Sequence, residues 1–132
     1  MRVVLDTNVL VSGLLSPGGP PGSIINAVLD GAIIVLVDNR IMFEYEDVLR
    51  RSKFGFDSRD VRAFLDFFQH ESEFVTAKPS STTLADPADL PFFEVATTAA
   101  ADYLITGNTK HFPEEPWILS PRQSLRILFA RE

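Results

Sequence analysis

The sequence predicts an α/β protein whose central, mostly parallel β-sheet is covered by helices on both faces. Short segments typical of strands alternate along the chain with segments that have helical periodicity. The strand segments, for example residues 2–5 and 32–37, are apolar almost throughout instead of alternating between apolar and polar. Continuous apolar strands are typical of parallel sheets buried on both faces, and strands that alternate with helices favour the same architecture.

The first third of the chain predicts two strands separated by two helices. Apolar residues recur at helical spacing soon after Asp6, so a helix is expected directly behind the first strand. Residues 16–22 are rich in Pro and Gly, which is typical of a loop, and Gly31 is expected to end the next helix. The predicted elements are, in order, a strand over 2–5, a helix carrying Val9, Leu10, Gly13 and Leu14, a loop over 16–22, a short helix over 24–29 and a strand over 32–37.

The middle of the chain predicts two amphipathic helices and a short strand. Asp38 or Asn39 is expected to cap the first helix, and the second begins at Asp57 or Ser58. A strand is expected over 73–77. The buried stripes are expected to comprise Ile41, Tyr45, Val48 and Leu49 in the first helix and Val61, Phe64, Leu65 and Phe68 in the second.

The last third predicts a helix between two strands and their loops, then a final helix. Residues 120–123 have the sequence Ser-Pro-Arg-Gln, a capping box with Pro at the first helical position, so the final helix is expected to run from there to the C-terminus. The elements before it are a polar loop over 78–88, a helix over about 89–101, a strand over 102–106, a loop or single turn over 107–113 and a strand over 117–119.

The composition predicts one domain over residues 1–132. This length is common for a domain, and 45% hydrophobic residues with eleven Phe suffice for a core. The chain has no Cys, which excludes disulfides, thiolate metal sites and Cys nucleophiles and fits a reducing compartment. There is no signal-peptide pattern and no apolar run of membrane-spanning length, so a cytoplasmic protein without membrane contact is expected.

The net charge of −6 argues against passive binding of nucleic acid, because phosphate affinity comes mainly from Lys and Arg. Acidity is compatible with nucleic-acid chemistry where carboxylates hold a metal ion that reverses the local charge. Most of the eighteen Asp and Glu are expected to be solvated surface residues.

Polar residues follow several of the predicted strands at the point where each strand ends. Asp6 follows the first strand, Asp38 and Asn39 the second, and residues 106–108 a later one. In parallel sheets, ligands bind outside the carboxyl ends of the strands. A functional site is therefore expected at this edge of the sheet.

Each acidic candidate at this edge also has a structural interpretation. Asp6 could cap the next helix, although Thr7 or Asn8 could do so equally well. Glu44 borders the buried stripe of its helix, but helix surfaces contain many such residues. For these residues the sequence alone leaves both interpretations open.

The same holds for the polar residues nearer the C-terminus. Asp86 reads as a helix cap followed by Pro, which would leave the carboxylate of Asp89 free for another task. Glu94 shares a helix face with Asp89 only loosely. Thr106 and Asn108 are typical of a turn, or else they present oxygens to the same site as Asp6.

Carboxylates that converge on one edge suit Mg²⁺ or Mn²⁺, because hard cations prefer oxygen ligands. Such an ion could activate water and neutralise charge on a phosphoryl group. The chain has no phosphate-binding Gly-rich loop, dinucleotide fingerprint or nucleophile elbow. His70 is expected at the surface, and His111 near the site, where it could touch substrate.

Four segments in a fixed order stand out along the chain: VVLDTNVL at 3–10, FEYEDVLRR at 43–51, DPADLPFFEVA at 86–96 and ADYLITGNTKHFP at 101–113. Together they resemble the PIN-domain family and, within it, the VapC-like ribonucleases that act as toxins of toxin–antitoxin systems. The resemblance covers nearly the whole chain; each segment alone is weak, but the ordered set is specific.

This resemblance implies a three-layer α/β/α sandwich with a central, mostly parallel sheet and an acidic Mg²⁺ or Mn²⁺ pocket. It implies that Asp6, Glu44 and Asp89 hold the metal. The fourth family position, usually Asp, is Asn108 here, which keeps an oxygen ligand but loses a charge; Asp86 or Glu94 could compensate. The residues expected to support the site or contact substrate are Asn8, Thr106, Asp86, Glu94 and His111.

The main hypothesis is an endoribonuclease in which Asp6, Glu44, Asp89 and Asn108 are catalytic. The family further implies an RNA substrate, a cognate antitoxin and a homodimer. The alternative is a catalytically silent PIN-fold module that binds RNA or a protein regulator, which Asn108 and the acidic charge favour. A receiver-like phosphoacceptor ranks last, because paired acids and a suitably placed Lys are missing.

Overall fold

The computed structural model describes residues 1–129 and contains a five-stranded, wholly parallel sheet in the order β3-β2-β1-β4-β5. The predicted parallel sheet is therefore confirmed. The strands are β1 (Arg2–Leu5), β2 (Ile34–Val37), β3 (Glu73–Phe74), β4 (Tyr103–Ile105) and β5 (Ile118–Leu119).

The central strand β1 is buried on both faces of the sheet. Val3, Val4 and Leu5 are each 0% exposed. Because successive side chains of a strand point to opposite faces, three fully buried neighbours require cover on both sides. This is the physical reason why the strand sequence is apolar without alternation.

Helices provide this cover in two packed groups, which gives the three-layer α/β/α architecture. Helix α2 packs against α1 and α6, and α3 packs against α4 and α5. Tyr45 of α3 joins the second group through ring contacts with Phe68 of α4 and Phe92 of α5, at centroid distances of 5.7 and 6.3 Å. The helices are α1 (Thr7–Leu15), α2 (Pro20–Leu29), α3 (Asn39–Leu49), α4 (Ser58–Glu71), α5 (Leu90–Thr98) and α6 (Pro121–Leu128).

Several helix ends confirm the sequence signals. Asp38 caps α3 by accepting a hydrogen bond from the backbone N of Ile41 at 2.9 Å. The capping box of α6 is complete, because Ser120 and Gln123 exchange side-chain and backbone hydrogen bonds. Helix α6 ends at Leu128, and the final residues 130–132 of the predicted helix lie outside the described part of the chain.

The predicted loop over 16–22 is wrong in its second half, because α2 begins at Pro20. Proline fits the first turn of a helix, where its missing N–H has no partner to lose. The strands are also shorter than predicted: β2 begins at Ile34 and β3 ends at Phe74. No helix within residues 1–129 has both the length and the apolar sequence needed to cross a membrane.

The strand order reverses between β1 and β4. From β1 the sheet extends through β2 to β3 on one side and through β4 to β5 on the other. In open parallel sheets such a reversal leaves a crevice at the carboxyl ends of the two strands, where ligands bind. Asp6 directly follows β1, and Thr106 directly follows β4.

Candidate active site

Asp6 and Thr106 meet across the crevice between β1 and β4. The backbone N of Asp6 donates to the carbonyl of Ile105 at 2.9 Å. The Thr106 hydroxyl donates to Asp6 Oδ2 at 2.7 Å, and Asn8 Nδ2 lies 3.3 Å from the same oxygen. Asp6 occupies the N-cap position of α1, but within residues 1–129 its side chain makes no capping hydrogen bond. The structure therefore removes the capping interpretation of Asp6.

The loop after β4 is fixed to α1 by a short chain of hydrogen bonds. Asn8 Oδ1 accepts from the backbone N of Gly107 at 3.0 Å. The Thr106 hydroxyl, which donates to Asp6, accepts from the backbone N of Asn108 at 3.0 Å. These bonds hold the backbone of Asn108 beside Asp6 while the residue itself stays exposed.

Glu44 approaches the same edge from α3. The Thr7 hydroxyl donates to Glu44 Oε2. The next residue, Tyr45, is fully buried, and its hydroxyl donates to the carbonyl of Leu5 at 2.6 Å. Tyr45 thus ties α3 to the last residue of β1, and this contact places Glu44 beside the segment that carries Asp6.

Asp89 lies at the end of a short 3₁₀ helix, Pro87–Asp89, that leads into α5. Asp86 caps this turn by accepting from the backbone N of Ala88 at 3.0 Å, so Asp89 is not needed as a cap. Asp89 Oδ2 is buried, and no described residue gives it a hydrogen bond. His111 Nδ1 lies 3.3 Å from this oxygen, a contact that forms an ion pair when the imidazole is protonated.

The three carboxyl groups raise one another's pKa. Burial, and to a lesser degree repulsion from Asp89, raises the pKa of Asp6 to about 6, against the bond from Thr106. Burial also raises the pKa of Glu44, with a contribution from the charge of Asp6. For Asp89, burial raises the pKa first and the charges of Asp86 and Glu44 add to this rise, while His111 partly offsets it. The groups therefore form one electrostatically coupled cluster.

Sequence and structure comparisons identify the family to which this arrangement belongs. Residues 2–110 match the family profile of the PIN domain.

The chain belongs to the PIN-domain family.

Two further similarities accompany this match. The chain is 28% identical over 112 residues to the uncharacterized protein MJ1680 of Methanocaldococcus jannaschii, over 82% of this chain and 71% of that protein. Its fold is similar, with a TM-score of 0.57, to a chain of the crystal structure of VapBC2 from Rickettsia felis bound to a DNA fragment from their promoter. That match has 18% sequence identity and covers 91% of this chain and 97% of the other, so it shows a shared fold.

Within this PIN domain, Glu94 has partners other than the Asp6 cluster. Its Oε1 pairs with Arg40 Nη1 at 2.7 Å, and its Oε2 accepts from the backbone N of Ser80 at 2.7 Å. Arg40 also pairs with Asp38 at 2.8 Å. The hydrogen bond from Arg40 holds the pKa of Glu94 below its usual range. These contacts give Glu94 a structural role, in linking α5 to α3 and to the loop before the 3₁₀ turn.

The donor set of the PIN-domain cluster suits a divalent cation. Asp6, Glu44 and Asp89 provide carboxylate oxygens, and the oxygen of Asp89 is buried and without a hydrogen bond from any described residue. Within residues 1–129, however, no three Asp, Glu or His side chains stand close enough to hold an ion together. That Asp6, Glu44 and Asp89 share one ion or a pair of ions therefore stays a prediction. Mg²⁺ commonly binds through one or two carboxylates and water, so a closed cage is not required.

Two residues that contact or position the cluster, Thr7 and Tyr45, are not identified as site residues from the sequence. Thr7 was considered only as a cap, and its hydroxyl instead binds Glu44. Tyr45 was expected only in the core, and its hydroxyl also sets the position of α3. The partner of Thr7 is 37 residues away and that of Tyr45 is 40, which local periodicity does not reveal.

Proposed function

We propose that this PIN domain is a Mg²⁺- or Mn²⁺-dependent endoribonuclease that hydrolyses phosphodiester bonds of RNA. The observation that carries the proposal is the buried oxygen of Asp89, which lacks a hydrogen bond from the described residues and belongs to the coupled cluster with Asp6 and Glu44. Buried polar atoms almost always have partners, so a buried carboxylate oxygen that has only the 3.3 Å contact with the exposed His111 among the described residues favours a ligand at this position. A cation would also favour the charged form of the three carboxyl groups, against the burial and, to a lesser degree, the repulsion that raise their pKa values.

In this proposal Asp6, Glu44 and Asp89 supply the metal ligands, one or two of them to any one ion, and water completes the coordination shell. A bound divalent cation activates water and stabilises the charge that grows on the phosphoryl oxygens. Thr106 and Asn8 fix the orientation of the Asp6 carboxylate, and Thr7 fixes that of Glu44. Such fixed orientation reduces the reorganisation that the reaction requires.

Two exposed residues complete the proposed site. Asn108, whose backbone N donates to the Thr106 hydroxyl at 3.0 Å, is the residue to which we assign a neutral side-chain oxygen ligand. His111 lies in the 3₁₀ turn Thr109–His111, with its Nδ1 3.3 Å from Asp89 Oδ2. Both side chains are accessible to substrate. Asp86, next to Asp89 in the chain, adds negative charge to the pocket.

We further propose that the protein is a cytoplasmic homodimer and the toxin of a toxin–antitoxin pair. Support comes from the PIN-domain match and from the fold shared with a chain of the VapBC2 complex. On this proposal the adjacent gene encodes a small protein with a DNA-binding fold, which binds and neutralises this chain.

The nuclease proposal is tested by cleavage of a mixed RNA pool in Mn²⁺. Asp6→Asn should lower the cleavage rate by roughly 100-fold or more, the scale for loss of one group that stabilises a transition state, and EDTA should abolish cleavage. Asp66→Asn, which changes an exposed carboxylate on α4, is the matched control and should cleave like the wild type. Full activity of Asp6→Asn, or of the wild type in EDTA, would refute the proposal.

Asn108 variants separate a working nuclease from a silent module in the same assay. Asn108→Ala should reduce cleavage, because it removes the neutral oxygen. Asn108→Asp should tighten Mn²⁺ binding by adding a charge, while the extra charge also weakens the metal as a Lewis acid. An inert wild type together with an active Asn108→Asp variant would instead support the catalytically silent module.

A further inference from the structure

The positive charges of this acidic protein are concentrated in one segment. Residues 50–62, here called the basic segment, contain five of the twelve Lys and Arg residues but two of the eighteen Asp and Glu. All five cationic residues are exposed. They are Arg50, Arg51, Lys53, Arg59 and Arg62.

The fold makes the basic segment one continuous surface. It covers the end of α3, the 3₁₀ turn Ser52–Phe54 and the start of α4. Arg50 Nη1 lies 3.4 Å from the hydroxyl of Ser58, so the end of α3 lies against the start of α4. The cations of the two helices therefore occupy neighbouring positions.

The basic segment begins directly after α3, the helix that carries Glu44. Arg51 lies two residues beyond the end of α3 and pairs at 3.2 Å with Asp47, which follows Glu44 by three residues, about one turn, on that helix. The positive charge of Arg51 reaches Glu44 and partly offsets the rise of its pKa. The basic segment is thus contiguous with the edge of the candidate active site.

Fold stability does not account for these cations. Arg50 pairs with Glu46 at 3.1 Å and Arg51 with Asp47 at 3.2 Å, both as exposed pairs one turn apart, which contribute little. Lys53, Arg59 and Arg62 form no ion pair with any described residue. Arg59 lies in the first turn of α4, where the helix dipole disfavours a positive charge.

Aromatic rings are interleaved with the cations. Phe54 and Phe56 are partly exposed and stack with a centroid distance of 5.8 Å and an angle of 21° between the rings. Lys53 Nζ lies 5.0 Å from the centre of the Phe54 ring. Cations beside partly exposed rings are typical of surfaces that bind single-stranded nucleic acid through phosphates and bases.

We propose that the basic segment binds the phosphodiester backbone of the RNA strand whose scissile bond enters the Asp6–Glu44–Asp89 cluster. This inference rests on the proposed nuclease function and adds a substrate-binding surface to it. It also addresses the conflict between a net charge of −6 and a polyanionic substrate, because Lys53, Arg59 and Arg62 are exposed cations without an ion-pair partner among the described residues.

Binding is measured with a fluorescein-labelled 20-nucleotide single-stranded RNA by fluorescence anisotropy, in EDTA so that the RNA stays intact. Arg59→Ala/Arg62→Ala removes two exposed cations of the basic segment. Lys78→Ala/Arg126→Ala removes two exposed cations elsewhere and is matched in charge. Urea unfolding of both variants checks that the fold is kept.

The Arg59→Ala/Arg62→Ala variant should bind RNA roughly tenfold more weakly at moderate salt. The slope of log Kd against log salt should also fall, by about 0.7 for each lost phosphate contact. In Mn²⁺, its kcat/KM for cleavage should fall with the affinity while kcat at saturating RNA stays that of the wild type. The control variant should bind and cleave nearly as the wild type does.

The outcomes separate this inference from the nuclease proposal. Equal loss of affinity in both double variants, unchanged affinity in the Arg59→Ala/Arg62→Ala variant, or no RNA binding by the wild type would overturn the inference. An active nuclease with unchanged affinity in that variant would leave the nuclease proposal standing, and the basic segment would then be free to contact a protein. Selective loss of binding in a protein that does not cleave RNA would support the surface and refute the nuclease.

Discussion

The burial of Asp6 at the edge of the sheet destabilises the fold when its carboxyl group is charged. It is 5% exposed, and its pKa is raised from 3.8 to about 6, mainly by burial. A carboxyl group with a raised pKa binds its proton more tightly in the folded state than in the unfolded state. Folding is therefore favoured while Asp6 is protonated, and this advantage is lost as the pH rises from about 4 through about 6.

Asp6→Asn should therefore stabilise the metal-free protein at pH 7.5, by up to about 3 kcal/mol, because the pKa of Asp6 rises from 3.8 to about 6 and one pKa unit corresponds to 1.36 kcal/mol. The amide keeps an oxygen that can accept from Thr106. Below about pH 4 the gain should vanish, since the wild-type carboxyl is then neutral in both states. Urea unfolding in EDTA at several pH values measures this, and Asp66→Asn should follow the wild type. A gain that does not change with pH would contradict the assigned cause.

At the scale of residues, the sequence predicted some roles and left others open for a physical reason. Asp86 and Asp38 were expected as caps, and both make local capping bonds. The choice between cap and site for Asp6 depended on Thr106, which is 100 residues away. The role of Glu94 depended on Arg40, which is 54 residues away. Local patterns contain the first kind of information and not the second.

At the scale of elements, the pair of helices α1 and α2 explains the wrong loop boundary. Pro and Gly between 16 and 22 are typical of a loop, but Pro20 fits the first turn of α2, and Gly22 lies inside that helix. Gly22 is buried because the chain passes very close to it. A Cβ at this position would lie 2.0 Å from the carbonyl oxygen of Pro17. The glycine thus marks a close approach of the backbone and not a break in the helix.

Gly22→Ala should destabilise the protein by roughly 1–3 kcal/mol, since the added methyl group meets backbone that must shift. Gly18→Ala is the matched control. Apart from Gly18 itself and its two neighbours in the chain, no described residue has an atom within 4 Å of a Cβ added there. That variant should change stability little, or raise it slightly by restricting the unfolded chain. The midpoints of urea unfolding compare the two. Equal stability of both variants would show that the α1–α2 connection adapts freely.

At the scale of the whole molecule, the alternation of apolar strands and helices predicted the parallel sheet and the edge at which polar residues gather. It did not predict the strand order, because the apolar character of a strand does not tell which strands are its neighbours in the sheet. That order places β1 beside β4 and so brings Asp6 to Thr106. The resemblance of the four segments to the PIN-domain family supplied what the strand pattern lacked. It assigned residues from distant segments of the chain to one common site.

A cluster of carboxyl groups with raised pKa values should make the stability of the whole molecule depend on divalent cations. An ion that binds the folded chain stabilises it by RT ln(1 + [L]/Kd), which is about 2.7 kcal/mol at an ion concentration of 100 Kd. Mn²⁺ should therefore raise the Tm of the wild type at pH 7.5 relative to EDTA, by roughly 5–10 °C. Asp6→Asn and Asp89→Asn should lose most of this rise, because each removes an oxygen charge from the cluster.

Thermal unfolding followed by circular dichroism measures this effect without RNA or catalysis. Asp66→Asn should keep the full rise in Tm, since its carboxylate is exposed on α4 and lies outside the cluster. The reverse pattern in EDTA is a further check, because Asp6→Asn should then be the more stable protein at pH 7.5. We therefore expect Asp6→Asn to be more stable than the wild type in EDTA and less stable than the wild type in Mn²⁺. This change of order follows only if the Asp6 carboxylate, which destabilises the metal-free fold, also binds the ion. The same rise in Asp6→Asn as in the wild type would place the Mn²⁺ site elsewhere and remove the physical basis of the proposed nuclease centre.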